Sequence, residues 1–172
     1  MTVEQYIQGL NTASASFKQY MNIEWPKHSG EIAVRFINGN FRAQGWQGNS
    51  FQPWRPLKKP RSGGSILRKT GHLAGSFYFT VSPGQTNVKT LVPYAKAHNE
   101  GFTGSVNIPA SIRQIKTVKG IGKQVSVKAH TRKMNLPKRQ FMPTSVYDSP
   151  VFFEAIKRET LRGLKNIFNH IQ

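Results

Sequence analysis

The sequence predicts an α+β fold: an antiparallel β-sheet of hairpins packed against N-terminal and C-terminal helices, with a protruding basic β-hairpin arm. Two observations carry that expectation. Apolar residues recur at helical spacing at both ends of the chain, whereas the middle alternates β-rich runs with turn residues. Between residues 41 and 146, moreover, stand eighteen Lys and Arg against a single acid, Glu100, so the positive charge is concentrated in one part of the fold.

Taken in order, Thr2 and Gln5 form a capping box, and Val3, Ile7, Leu10, Phe17 and Met21 follow on one helical face. Trp25-Pro26 is expected to break this helix. A second stripe, Ile32, Ala33, Phe36, Ile37 and Phe41, is expected to end at Gly45, with Gly30 and Gly39 weakening it. Residues 46–64 read as a loop whose Trp46, Phe51 and Trp54 pin it to the core, in preference to stacking on nucleic-acid bases, and which ends in a basic run. Residues 65–76 suit two helical turns with a break at Thr70-Gly71. The runs 77–81 and 87–92 read as strands joined by Ser82-Pro83-Gly84.

The stretch from Pro93 to Gly101 reads as a strand breaking into a short helix, with Pro93 at its first position and Gly101 as a left-handed cap. Tyr94 and His98, four residues apart, share a face that is expected to look inward, with the His98 ring hydrogen-bonding a loop. A Tyr, a His and a Glu in nine residues could suggest acid–base chemistry. No second carboxylate, Cys or activated Ser stands nearby to complete a catalytic set, so a packing role is expected.

Beyond Gly101 the chain is extended to Pro109. Two strands around Lys119-Gly120-Ile121-Gly122 then form a hairpin, expected to project as an arm over 111–133. Arg113, Lys116, Lys119, Lys123, Lys128, Arg132 and Lys133 give that arm seven positive charges and no acid, hence an expected contact with an anion or a partner. Phe141-Met142, bracketed by Pro137 and Pro143, is expected to plug a core edge. Ser149-Pro150 opens a final helix with a wide apolar face from Phe152 to Ile171.

Composition limits the alternatives. The 172 residues suit one domain, 1–172. With no Cys and five scattered His, neither a disulfide nor a structural metal is expected, and without a phosphate-cradling Gly-Lys-Ser/Thr motif no nucleotide; no cofactor is expected. No run of eighteen apolar residues occurs, so a soluble protein without membrane span or secretion signal is expected. A net charge of +18 calls for an anionic neighbour.

Four pieces in order carry a resemblance: 41–45 with Trp54-x-Pro56-Leu57; Leu67-x-x-Thr70-Gly71-x-Leu73-x-x-Ser76; Tyr94-Ala95-x-x-His98-x-x-Gly101; and Pro137-x-Arg139-x-Phe141-Met142 before the last helix. The set resembles the phage virion morphogenesis, or tail-completion, family of contractile-tailed, Mu-like phages. The resemblance covers about two-thirds of the chain; the basic stretch 112–133 departs from it. It implies a non-enzymatic virion protein of the neck or upper tail, assembled in the bacterial cytoplasm and acting in tail completion and head–tail joining. It also implies a homo-oligomeric ring, with six among the subunit counts to test. The implied partners are head–tail connector, tail tube or sheath proteins, and packaged double-stranded DNA. The alternative is a nonspecific nucleic-acid-binding protein, for which the charge speaks but no recognition motif does.

Overall fold

In the computed structural model, which describes residues 2–57, 59, 65–115 and 122–169, the chain opens with the expected capping box. The Thr2 hydroxyl accepts from the Gln5 amide at 3.2 Å, and the Gln5 side chain accepts from the Thr2 amide at 2.9 Å, which satisfies two donors left over by the first turn. The break expected at Trp25-Pro26 is absent. Helix α1 (Val3–Gln19) runs through a π-helical turn, Tyr20–Glu24, into α2 (Trp25–Ala43). A proline ring crowds the carbonyl four residues before it, and the wider π turn relieves that clash.

Glycine does not weaken α2 as expected. The Phe79 ring occupies the place where a Cβ on Gly30 would stand, so this glycine lets a strand press against the helix. The helix ends one residue before Gly45, at Gln44 with φ +58°, an uncommon conformation for a residue with a Cβ. The Gln44 side chain holds the turn: its amide donates to the Phe41 carbonyl at 2.7 Å, and its oxygen accepts from the Ile66 amide.

The fold is α+β as predicted, but among the described residues the β structure is divided into four two-stranded antiparallel ladders where one sheet was expected. Strand β1 (Gly45–Gln47) pairs with β2 (Phe51–Pro53), and β3 (Tyr78–Ser82) with β4 (Gln85–Lys89) around Pro83-Gly84. After the short helix α3 (Ala95–Glu100), β5 (Phe102–Ile108) pairs with β8 (His130–Leu136), and β6 (Ser111–Ile115) with β7 (Lys123–Val127). The last two ladders share one register: Phe102 faces Leu136, Ile108 faces His130, Ser111 faces Val127 and Ile115 faces Lys123. Residues 102–115 and 122–136 therefore continue one antiparallel ribbon, interrupted where Pro109 has no N–H to offer. Pairing begins nine residues before the expected hairpin. The expected turn residues Lys119-Gly120-Ile121, like Lys58, Arg61 and Lys116, lie outside the described residues.

The core forms where α2 meets the loops. Phe41, 1% exposed, touches Phe141 at 5.1 Å between ring centroids, Trp54 at 5.4 Å and Phe77 at 6.1 Å. A second cluster places Phe36 against Trp46 at 5.5 Å and Phe152 at 5.2 Å, which ties α2 to α4 (Pro150–Phe168). Ser149 caps α4 as expected, accepting from the Phe152 amide at 3.2 Å while donating to the Gln47 carbonyl. The wide apolar face of α4 is covered only in part: Phe152 is buried, whereas Leu161 and Phe168 are about half exposed. Gly163 is buried beneath the Tyr20 ring, whose hydroxyl donates to the Glu159 carbonyl at 3.0 Å.

Candidate functional site

Three separate stretches meet beside α3. The segment from Pro137 to Met142 returns from the ribbon as a strap across this helix, and its backbone needs acceptors because little water reaches it. The Asn99 side-chain oxygen takes two of its amides, from Phe141 at 3.0 Å and from Met142 at 2.9 Å, while the His98 carbonyl takes the Arg139 amide at 2.9 Å. From the other side the Asn40 side chain, fully buried in α2, donates to the Phe141 carbonyl at 3.1 Å and accepts from the Gln47 amide at 3.1 Å. Gly101, with φ +82° and ψ 162°, has the positive φ of the expected cap but not its left-handed ψ. A Cβ there would meet the Lys138 nitrogen at 3.0 Å, so the glycine is what lets the strap pass.

The inward face of α3 is therefore Ala95 and Asn99, not Tyr94 and His98. Tyr94 is 45% exposed, and its ring stands edge-on to His98 with centroids 5.9 Å apart. The loop contact expected of the His98 ring is made by its backbone instead. Its Nδ1 is buried and has no hydrogen-bond partner among the described residues. Burial, and then the neighbouring Arg139 charge, hold this imidazole below its ordinary pKa, because both disfavour the imidazolium form.

The motif residues converge on one pocket of about 220 Å³, lined by Leu57, Leu67, Lys69, Thr70, Leu73, Tyr94, His98 and Arg139. Seven of these eight, all but Lys69, belong to the four sequence pieces, at positions from 57 to 139. Leu67 enters with φ +59°, a strained conformation for a bulky residue, and Gly71 with φ +75° makes the turn expected at Thr70-Gly71. Arg139 is 6% exposed and donates through Nε and Nη2 to the Arg55 carbonyl at 3.2 and 3.0 Å. No carboxylate pairs with it among the described residues.

The other motif residues are structural. Trp54 is 5% exposed and donates its indole N–H to the Gln140 carbonyl at 2.8 Å, which suits a loop anchor rather than a base-stacking platform. Ser76 donates to the Leu73 carbonyl at 2.8 Å, Ala95 and Phe141 are core, and Pro137 begins the strap. Asn40 and Asn99 were not singled out from sequence. Asn40 carried a signal, being an amide between Ile37 and Phe41 on an apolar stripe.

The seven basic residues are not brought to this pocket. Arg113, Lys128, Arg132 and Lys133 stand exposed on the ribbon, while Lys116 and Lys119 lie outside the described residues and Lys123 faces Ile115 in the outer ladder. A larger cleft of about 510 Å³ between α1 and α4 is lined by Thr12, Tyr20, Glu159 and Arg162, and holds no motif residue. Among the described residues no three His, Asp or Glu cluster as metal ligands would, and no helix is long and apolar enough to cross a membrane.

A family model described as the phage virion morphogenesis family matches residues 27–160, from the start of α2 into α4. No curated protein and no solved structure gave a match.

Proposed function

Since the chain belongs to the phage virion morphogenesis family and so has a structural or assembly role in a phage virion, we propose that it completes the tail and joins it to the head at the neck, as a non-enzymatic ring of subunits. The single observation that supports self-association most is α1. Val3 is 71% exposed, Ile7 51%, Leu10 45% and Phe17 40%, and only Ala13 of this helix is buried. An apolar stripe of that length on one subunit is the usual mark of a protein contact. The ribbon adds a second uncovered surface. Its strands have no third partner among the described residues, and Phe102, Val106, Ile108, Met134 and Leu136 share one face that is only partly buried. In this reading the ribbon is a projecting arm that clasps a neighbouring subunit, and its exposed Lys and Arg meet acidic connector or tail proteins or packaged DNA.

Light scattering and negative-stain imaging of the purified chain, alone and with tail tubes, test this directly. A closed oligomer or a capped tube is expected. A strict monomer that ignores tubes and connectors overturns the reading.

The exposed Arg113, Lys128, Arg132 and Lys133 favour one second reading, a nonspecific nucleic-acid-binding protein. Its affinity for duplex DNA should fall steeply with salt and depend on those residues, without any closed oligomer forming.

A further inference from the structure

The pocket beside α3 is positive, concave and without a counter-ion of its own. Arg139 is 6% exposed and its pKa is lowered by burial and by nearby Arg55; its Nε and Nη2 donate to the Arg55 carbonyl, and no carboxylate pairs with it among the described residues. Lys69 and the Thr70 hydroxyl stand at the same opening, and no carboxylate lines it. Burying a cation is costly unless something pairs with it. The strained backbone of Leu67 at the wall is of the kind that binding sites retain.

We propose that this pocket receives a single carboxylate side chain, Glu or Asp, carried on an apolar-flanked segment of a different, acidic protein. The occupant follows from the lining. Leu57, Leu67 and Leu73 suit the methylenes of a side chain and its apolar neighbours, and Arg139, Lys69 and Thr70 suit the carboxylate at its tip. A phosphate of duplex DNA cannot leave its backbone to enter a pocket of about 220 Å³, and it would bring charged neighbours against the leucines. A second copy of this chain is the poorer occupant, because it offers seven acids against 25 Lys and Arg, and Asp148, Glu154 and Glu159 among them are already hydrogen-bonded or ion-paired. The proposal concerns this pocket alone and does not depend on where in the particle the protein sits.

Tyr94 of its own helix stands edge-on to His98 and the Arg139 charge of the strap acts on it, with Arg55 behind Arg139 and Lys69 lining the same pocket. The charged groups among these are all cations. An arriving carboxylate therefore raises the His98 pKa, and binding tightens as pH falls.

The test uses the full chain and three probes at low salt: the peptide acetyl-Leu-Glu-Leu-Leu-amide, its counterpart with Gln in place of Glu, and a short duplex DNA. The readout is the His98 ring resonance with its pH titration. The Glu peptide should move that resonance and raise its pKa, the Gln peptide and the duplex should not, and Lys69→Gln should weaken binding about tenfold. Lys69 is exposed and makes no hydrogen bond among the described residues, so its replacement spares the fold where Arg139→Gln would disturb the strap. Equal binding of the two peptides, no binding of either, or a response to the duplex matching that to the Glu peptide overturns the proposal.

Discussion

Phe141 is 1% exposed and touches Phe41 and Phe77, while Ile112, an apolar residue of similar reach, is 71% exposed on the ribbon. The strap holding Phe141 begins directly after the ribbon ends, so the contrast arises within one continuous stretch of chain. The backbone of the strap is met by side chains from two helices, Asn40 donating to the Phe141 carbonyl and Asn99 accepting from the Phe141 amide. Among the described residues each strand of the ribbon is paired only with its own partner strand, with polar cross-strand contacts such as Thr131 to Asn107 at 3.1 Å. A two-stranded ribbon in water is marginal by itself, because each strand buries little. The core around Phe41 and Phe141 therefore carries more of the stability than the ribbon does.

The comparison breaks most sharply at its two ends. Phe141→Ala should cost about 3–5 kcal/mol in denaturant unfolding, through lost burial and the cavity left beside the Phe41 and Phe77 rings. Ile112→Ala should cost less than about 0.5 kcal/mol in the same measurement. A cost for Ile112 approaching that for Phe141 would mean that the ribbon packs on the body.

Asn99→Ala comes next, at about 2 kcal/mol, because it leaves the Phe141 and Met142 amides without their acceptor. The change should also speed hydrogen exchange at those two amides, and unchanged exchange would remove Asn99 from its role in the strap.

His98 should give a smaller, pH-dependent effect. Its pKa in the folded protein lies below the ordinary 6.5, so the unfolded chain takes up the proton more readily. Its contribution is therefore full above about pH 6.5 and is lost as pH falls through the lower folded value. Melting temperatures from about pH 7 down to pH 5 should show a steeper fall for wild type than for His98→Gln. Parallel profiles would mean that the ring titrates as it does in the unfolded chain.

The smallest expected effect on stability belongs to replacing Arg113, Lys116, Lys119, Lys123, Lys128, Arg132 and Lys133 together by Gln, which should change unfolding by less than about 0.5 kcal/mol. In the particle, the same variant should impair joining or DNA retention, as high salt should for wild type. Normal infectivity would make the charge dispensable.

The sequence by itself determined what depends on neighbours within a few residues. The Thr2 and Ser149 caps, the apolar period of α1, α2 and α4, and the Pro83-Gly84 turn are all set by local backbone chemistry, and all are present. The family that the resemblance implied is present too, in the match over residues 27–160. What passed unseen depended on partners distant in the chain. At Pro26 the local rule for proline was sound, yet burial of Tyr20 against Gly163, across the fold, keeps the helix going through a π turn. In α3, six residues are too few for an apolar period to mark an inward face, and the choice fell to Asn99 because the strap brought two amides in need of an acceptor. The pocket was likewise absent from any one stretch. Leu67, Thr70, His98 and Arg139 are ordinary residues in sequence, and only the packing of turn, helix and strap sets them around one opening with a buried positive charge.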